Sequence, residues 1–211
     1  MNPHAITRDF ERELCNYTGA PYAVAVNSCT MALLLAVAWH RFGLMMPRGV
    51  MQVEIPKRTY VSVPQSIIHA GGRPTFRDEA WRGAYRLKPL PVFDSARWFT
   101  SGIFTELQWA GATMACVSFH WTKTLGTGFR QGGAILHDNP EADAWLRRAR
   151  FDGRTEGVAP KDDNFDVLGW HCYMDPTTAE ALLEKLRTLP KHNAPLPNDE
   201  YPDLSEMPIF K

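Results

Sequence analysis

Apolar and polar positions follow two alternating rhythms along this chain. Over residues 7–19, Phe10, Leu14 and Tyr17 recur at helical spacing, with Thr7 as a candidate cap and Gly19 as the exit, which predicts a helix. The apolar run over residues 22–26 is too short for a helix and reads as a buried strand. Ser28 is placed to cap a helix over residues 30–42 that is apolar on nearly all sides, and so buried, and stops at Gly43. The rhythm then repeats, with a strand at 53–56, a helix at 61–70 ended by Gly71 and Gly72, and a strand at 74–76. Further strands are expected at 91–94, 113–119 and 134–136. Asn139-Pro140 and Asp175-Pro176 each open a helix, the second carrying Ala179, Leu182, Leu183 and Leu186 on one face. Strands alternating with helices predict a three-layer α/β/α sandwich around a mostly parallel sheet.

Two segments break the rhythm. Residues 152–169 contain three glycines and no period, and read as a long loop of the kind that is often functional. From Pro190 onward five prolines exclude a helix or an internal strand, so residues 190–211 are expected to be an extended tail behind a domain of residues 1–189. The length of 211 residues supports one core and a short appendage. Lys plus Arg and Asp plus Glu balance at 23 each, so no global field draws the chain to nucleic acid or to an anionic membrane. The longest apolar stretch, residues 31–39, is far short of the roughly twenty needed to cross a bilayer, and the first residues show no secretory pattern. Four scattered cysteines without a CxxC pair fit free thiols in a cytoplasmic setting, and no metal site is expected.

In α/β sheets ligands collect where strands end and helices begin, and four such points carry chemistry here. Asn27-Ser28-Cys29-Thr30 joins a strand to a helix start, whose free N–H groups suit a phosphate; capping alone would equally explain Ser28 and Thr30. Tyr60 follows a strand and either lies flat on a planar ligand or fills the core. Asp94 closes the apolar strand PVFD, where a buried carboxylate needs a cation or several donors. Ser118-Phe119-His120-Trp121-Thr122-Lys123 precedes a glycine-rich stretch that matches neither a Walker nor a Rossmann fingerprint; Lys123 is either an ordinary surface lysine or, if desolvated, a nucleophile toward carbonyl compounds. A phosphate site, a flat aromatic, a buried aspartate and such a lysine are together the parts that hold pyridoxal 5′-phosphate (PLP).

Read in order, these segments resemble the DegT/DnrJ/EryC1/StrS family of PLP-dependent sugar aminotransferases, of fold type I, over roughly residues 10–189. The resemblance rests on VAVNSCTMALLLA for the family's NSGTxAL turn, IPKRTY for P-x-x-T-[FYW], and VFDSA for E-D-A-A. SFHWTKTLGTGFRQGGAIL matches S-F-x-x-x-K…GGA, and LGWHCYM matches G-Y-N-Y-R-M. It implies that Ser28, Cys29, Thr30 and Ser118 bind the cofactor phosphate, Tyr60 stacks on the ring and Asp94 pairs with the ring nitrogen. Lys123 would carry the cofactor in Schiff-base linkage and shuttle a proton. His171 takes the place of an asparagine that reaches the phosphate of the other subunit, which implies a homodimer with shared sites. The implied activity is amino transfer from an amino acid, glutamate above all, to a keto-sugar nucleotide or a similar carbonyl compound. Relatives that act as dehydratases have histidine at the lysine position, so Lys123 argues against that variant.

The chain also departs from the family pattern. Cys29 replaces a glycine. Arg97 replaces glutamine or histidine, and either holds a substrate carboxylate or satisfies Asp94 without any cofactor. Only 34 positions (94 − 60) separate Tyr60 from Asp94, where the family inserts further helix and strand units, and the proline-rich tail stands where the family continues into a C-terminal domain. These losses keep two other readings open: a PLP enzyme of another reaction type, such as decarboxylation or elimination, and a cofactor-free scaffold or partner subunit.

Overall fold

The computed structural model describes residues 4–44, 49–198 and 200–211. Among these residues the strands are β1 (Tyr22–Val26), β2 (Met51–Pro56), β3 (Gly72–Arg77), β4 (Tyr85–Leu87), β5 (Val92–Asp94), β6 (Met114–Ser118) and β7 (Gly133–His137). The α-helices are α1 (Ala5–Thr18), α2 (Cys29–Ala38), α3 (Ser62–His69), α4 (Ile103–Trp109), α5 (Pro140–Ala149) and α6 (Pro176–Thr188). Five strands form one sheet in the order β1-β7-β6-β5-β4, and β2 and β3 form a separate parallel pair. Glu54 and Lys88 join the two sheets through reciprocal backbone hydrogen bonds.

The three layers follow from side-chain alternation in strands buried on both faces. Val24, Val26, Met114, Cys116 and Ile135 pack with α2, α3 and α5, while Ala23, Ala25, Ala115, Val117 and Leu136 pack with α1, α4 and α6. The mostly parallel sheet is corrected. Only β5–β6 is parallel in the larger sheet, whereas β1–β7, β6–β7 and β4–β5 are antiparallel. The cause lies in the connections. A parallel neighbour needs a crossover helix, and only α4 (β5 to β6) and α3 (β2 to β3) supply one between paired strands; β7 returns from β6 through the helix-free loop that carries Lys123.

Two elements absent from the sequence reading, β4 and α4, are too short to show a period. Helix α4 starts after Gly102, at φ 73°, and buries Ile103, Phe104 and Leu107. The long apolar helix expected over residues 30–42 is α2 followed by a π-helical turn, Trp39–Gly43. The loop over 152–169 is irregular apart from a short 3₁₀ turn at Pro160–Asp162.

The strand that feeds the Asn27-Ser28 turn is fixed by a buried ion cluster. Glu11, 3% exposed, accepts from Arg147 at 2.6 Å and also from Arg150, and takes the Ala25 N–H at 2.9 Å; Arg150 continues to Glu156 at 2.9 Å. Each charge is answered, which is the condition for keeping it inside. The cluster ties α1 and α5 to β1.

His40, in the π turn, is buried, and its Nε2 has no hydrogen-bond partner in the structure. Burial lowers its pKa to about 4, so the ring is neutral in the fold while an unfolded chain takes a proton below the usual 6.5. The stability this contributes is present above pH 6.5 and is lost as pH falls toward 4. His40→Leu should therefore lose about 2–3 kcal/mol less than the parent between pH 7 and 4.5 in urea melts, and equal losses would refute this.

Candidate functional site

Three carboxyl-terminal strand ends and one helix start converge on a cavity of about 300 Å³. At the helix start, Ser28 is extended (φ −164°, ψ 157°) and its Oγ caps α2 by accepting the Met31 N–H at 3.2 Å. The first N–H groups of α2 are left facing the cavity with the positive end of the helix dipole. Thr30 Oγ1 donates to Ser62 Oγ at 2.9 Å, and Ser66 Oγ donates to the Thr30 carbonyl at 3.1 Å, which fixes α2 against α3. Gly133 permits this turn: a Cβ there would stand 2.5 Å from the Cys29 nitrogen. Cys29 lines the cavity, and its thiol is pushed well up by burial, then by the charges of Asp94 and Cys116, against a lowering by Lys123.

At the end of β5, Asp94 is 5% exposed. Its Oδ1 accepts the Ala96 N–H at 2.9 Å and its Oδ2 accepts from the Tyr85 hydroxyl at 2.7 Å, while Tyr85 shares a 2.6 Å hydrogen bond with Thr59 Oγ1. Burial raises the Asp94 pKa; the Tyr85 and Ala96 hydrogen bonds and the Lys123 charge pull it back. The groups that act on Asp94 are thus Tyr85, the Ala96 N–H and Lys123. Sequence reasoning missed Tyr85, whose only signal was the apolar–polar alternation of Tyr85-Arg86-Leu87 in the strand it failed to find.

Lys123 sits in the turn after β6, where its N–H bonds the His120 carbonyl at 2.8 Å and its own carbonyl accepts the Gly126 N–H at 2.8 Å. A Cβ on Gly126 would lie 2.4 Å from the His120 oxygen, so this tight fold of the loop requires glycine. Lysine 185 on α6 donates to the Gly126 carbonyl and pins the loop from behind. The ring of His120 lies 3.7 Å from that of Trp121 and bonds Thr122 Oγ1 at 2.9 Å; its pKa is lowered by burial and by Lys123. Lys123 is half-buried and borders the cavity.

Of the residues singled out in the sequence, Ser28, Cys29, Thr30, Tyr60, Asp94, Arg97, Ser118 and Lys123 all line this cavity. Tyr60 is 58% exposed, so it presents its ring to the cavity mouth and the core reading falls away. His171 is not among the lining residues; it is largely exposed and its Nδ1 bonds Asp152 at 2.7 Å. The loop over 152–169 contributes no lining residue either. Thr59, His120, Trp81 and Tyr201 also border the cavity or support it and were not foreseen, the last two because they reach it from segments distant in sequence. No group of three or more His, Cys, Asp or Glu residues among the described residues is arranged to hold a metal ion.

Sheet, helix start, buried aspartate and loop lysine define a three-layer α/β protein with a cavity at its strand ends. The model of the DegT/DnrJ/EryC1/StrS aminotransferase family matches residues 4–87 and 106–195, and the chain belongs to this family. The intervening segment with Asp94 and Arg97 lies outside the matched residues, and so does the end of the tail. Over 71 residues, 34% of this chain and 17% of the relative, it is 41% identical to the spore coat polysaccharide biosynthesis protein SpsC of Bacillus subtilis (strain 168). The fold is similar to S. venezuelae DesV in complex with a ketimine intermediate (TM-score 0.65, 22% identity, 87% of this chain and 57% of that one). It is also similar to NtdA from Bacillus subtilis with bound cofactor PMP (TM-score 0.66, 18% identity, 87% and 48%). This chain therefore spans less than two thirds of the length of these relatives.

The Thr59–Tyr85–Asp94 chain is testable without any ligand. Tyr85→Phe leaves Thr59 and Asp94 each short of a partner in a buried place and should cost about 1–3 kcal/mol in urea melts. In a cycle with Thr59→Val the two changes should couple by about 1 kcal/mol; strictly additive costs would show that the relay does not hold the site.

Proposed function

We propose that this chain is a PLP-dependent aminotransferase that moves an amino group from an amino acid, glutamate above all, to a keto-sugar nucleotide or a similar carbonyl compound. The observation that carries this is one cavity bordered at the same time by the start of α2, the Asp94 carboxylate and the Lys123 loop. Its residues fit the cofactor by their chemistry. The Cys29 and Thr30 N–H groups, the α2 dipole and the hydroxyls of Ser28, Thr30 and Ser118 receive the phosphate. Tyr60 offers a ring face at the mouth.

Bound PLP supplies an electron sink for carbanion chemistry. The protein supplies the rest. Asp94 holds a proton on the ring nitrogen; a cation at that position also offsets the desolvation that disfavours the ionised carboxylate, so cofactor and aspartate stabilise each other. Lys123 would hold the cofactor through its amine and, when that amine is free, would serve as the base beside the substrate carbon. Arg97 borders the same cavity and is suited to the carboxylate of the amino-acid donor. Exposed His171, outside its own cavity, is suited to reach the phosphate in a second subunit, which supports a homodimer with shared sites. A cytoplasmic location suits the four free thiols; no helix among the described residues is long and apolar enough to cross a membrane.

Purified protein mixed with PLP should develop a visible absorption band, and borohydride should leave the cofactor on the peptide that contains Lys123, as read by mass spectrometry. Lys123→Ala should abolish the adduct. A colourless, unmodified parent protein sinks the reading and favours a cofactor-free scaffold; a loaded protein that no common amino donor converts to the pyridoxamine form points instead to another PLP reaction.

Asp94→Asn separates function from stability. Because burial raises the Asp94 pKa, the cofactor-free fold binds that proton more tightly than the unfolded chain, and stability falls as pH rises past the ordinary carboxylate range. The variant should therefore be at least as stable as the parent at pH 7 without PLP, while losing roughly tenfold or more in PLP affinity. A variant less stable without PLP and unchanged in affinity would refute this role.

A further inference from the structure

Two hydroxyls run in series from the buried Asp94 carboxyl to Thr59, a residue that lines the cavity, and their protons have two self-consistent arrangements. Asp94 Oδ2 lies 2.7 Å from the Tyr85 hydroxyl, which lies 2.6 Å from Thr59 Oγ1, and all three residues are buried. A phenol and an alcohol each have one proton to donate and lone pairs to accept with, whereas an ionised carboxylate only accepts. With Asp94 ionised, the Tyr85 proton must point at Oδ2, so Thr59 donates to Tyr85. With Asp94 protonated on Oδ2 the order reverses: the acid donates to Tyr85, and Tyr85 donates to Thr59. Oδ1 keeps the Ala96 N–H at 2.9 Å in both arrangements.

The reversal needs no movement of heavy atoms, and the surroundings resist such movement. Tyr85 is in register with Asp94 across the antiparallel β4–β5 pair. The Trp81 ring packs 4.7 Å from the Tyr85 ring, and its Nε1 is tied to the Arg58 carbonyl at 2.9 Å. Burial, and then the Asp94 charge, push the Tyr85 pKa well up, so the phenol keeps its proton. The other titratable groups around Asp94 come from three elements: Cys29 at the start of α2, Cys116 on β6, and Lys123 in the loop after it. Arg97 lines the same cavity. Burial pushes both thiols well up and keeps them neutral, which leaves the hydroxyl pair as the adjustable hydrogen-bond partner when the charge of Asp94 changes.

We propose that Tyr85 is a positioning residue for the proton on the cofactor ring nitrogen: with Thr59 it forms a hydroxyl relay that reverses as Asp94 passes from acid to carboxylate on loading. This rests on the PLP reading above and deepens it. The proton balance closes. Asp94 gives its proton to a basic ring nitrogen, one O–H bond is exchanged for one N–H bond, and a neutral pair becomes a carboxylate facing a cation with no net charge taken up. The relay bonds are neutral before this exchange and charge-assisted after it, about twice as strong, so Tyr85 favours the loaded site over the empty one. A ligand whose ring cannot accept a proton leaves Asp94 an acid and gains nothing from the relay.

The test compares PLP with 1-deaza-PLP, in which C–H replaces the ring nitrogen while the aldehyde that meets Lys123 is unchanged. Affinity for each is read at neutral pH from the absorption band and by calorimetry in the parent, Tyr85→Phe, Thr59→Val and Thr59→Ser. Tyr85→Phe should weaken PLP about tenfold and 1-deaza-PLP less than about twofold; Thr59→Val should weaken PLP about threefold, and Thr59→Ser, which keeps the hydroxyl, should match the parent. In an Asp94→Asn background, Tyr85→Phe should affect both ligands equally. A purely structural role for Tyr85 weakens both ligands equally in the Asp94 parent as well, and that result overturns the relay. If Tyr85→Phe does not fold, the Thr59 pair decides, and equal PLP affinities of Thr59→Val and Thr59→Ser overturn it. A parent protein that takes up neither ligand instead overturns the PLP reading beneath the proposal, so the two failures are told apart.

Discussion

A carboxylate at the end of a strand buried on both faces is the constraint around which this structure is arranged. Asp94 is 5% exposed, so its two oxygens are answered from inside, and each answer recruits a different part of the chain. The Ala96 N–H requires the backbone to turn immediately after β5. The Tyr85 hydroxyl requires β4 to pair antiparallel beside β5, with Tyr85 in register with Asp94. Thr59 in turn positions Tyr85 and draws in the segment after β2. What remains is a pKa raised by burial, which Tyr85, the Ala96 N–H and the charge of Lys123, from the loop after the next strand, pull back.

The second requirement is proximity of backbones. Ser118 on β6 and Gly133 on β7 are partners in register, and Gly133 lies so close to Cys29 that no side chain fits between them. The helix start that suits a phosphate and the loop that carries the lysine are thereby held within one small cavity by a hairpin rather than by a crossover. The antiparallel β6–β7 connection is thus the device that folds the Lys123 loop back over the strand ends, and Lys185 secures it from α6.

Much of this was legible in the sequence, and the exceptions have physical causes. Helices α5 and α6 carry Asn139 and Asp175 as N-caps, α1 ends at Gly19 but starts before the expected cap Thr7, without a side-chain cap, and all three have apolar faces, while the buried strands β1, β6 and β7 are short apolar runs, so local pattern sufficed. Strand direction was not legible because it depends on whether a connection contains a helix, and α4, at Ile103–Trp109, is too brief to announce itself. At the site, residues at strand ends stood out because their positions are set by local sequence. Tyr85, Trp81 and Tyr201 did not, since each acts through a neighbour remote along the chain: Asp94, the Asn198 amide and the Trp81 ring respectively. Arg97 could be placed beside the aspartate from sequence, yet only the structure shows that Tyr85 and the Ala96 N–H take the two carboxylate oxygens.

The tail shows how a segment unfit for regular structure can still define a site. Prolines remove donors, so the tail is unsuited to a sheet, and it is held to the body by separate anchors: Lys191 to Ser101 and Thr100, Asn193 to Thr100, Tyr17 and Trp98, Leu196 to Arg97, Asn198 to Trp81, and Asp203 and Leu204 to Lys57. Between such anchors an extended chain spans distance economically and presents side chains without needing a layer of its own. Its restricted backbone also has less freedom to lose on ordering. Because one of its anchors is the backbone of Arg97 and another is the backbone of Trp81, any ligand that shifts either residue must also strain the tail. The tail and the cavity-lining residues Arg97 and Trp81 are therefore mechanically one unit, built from distant parts of the sequence.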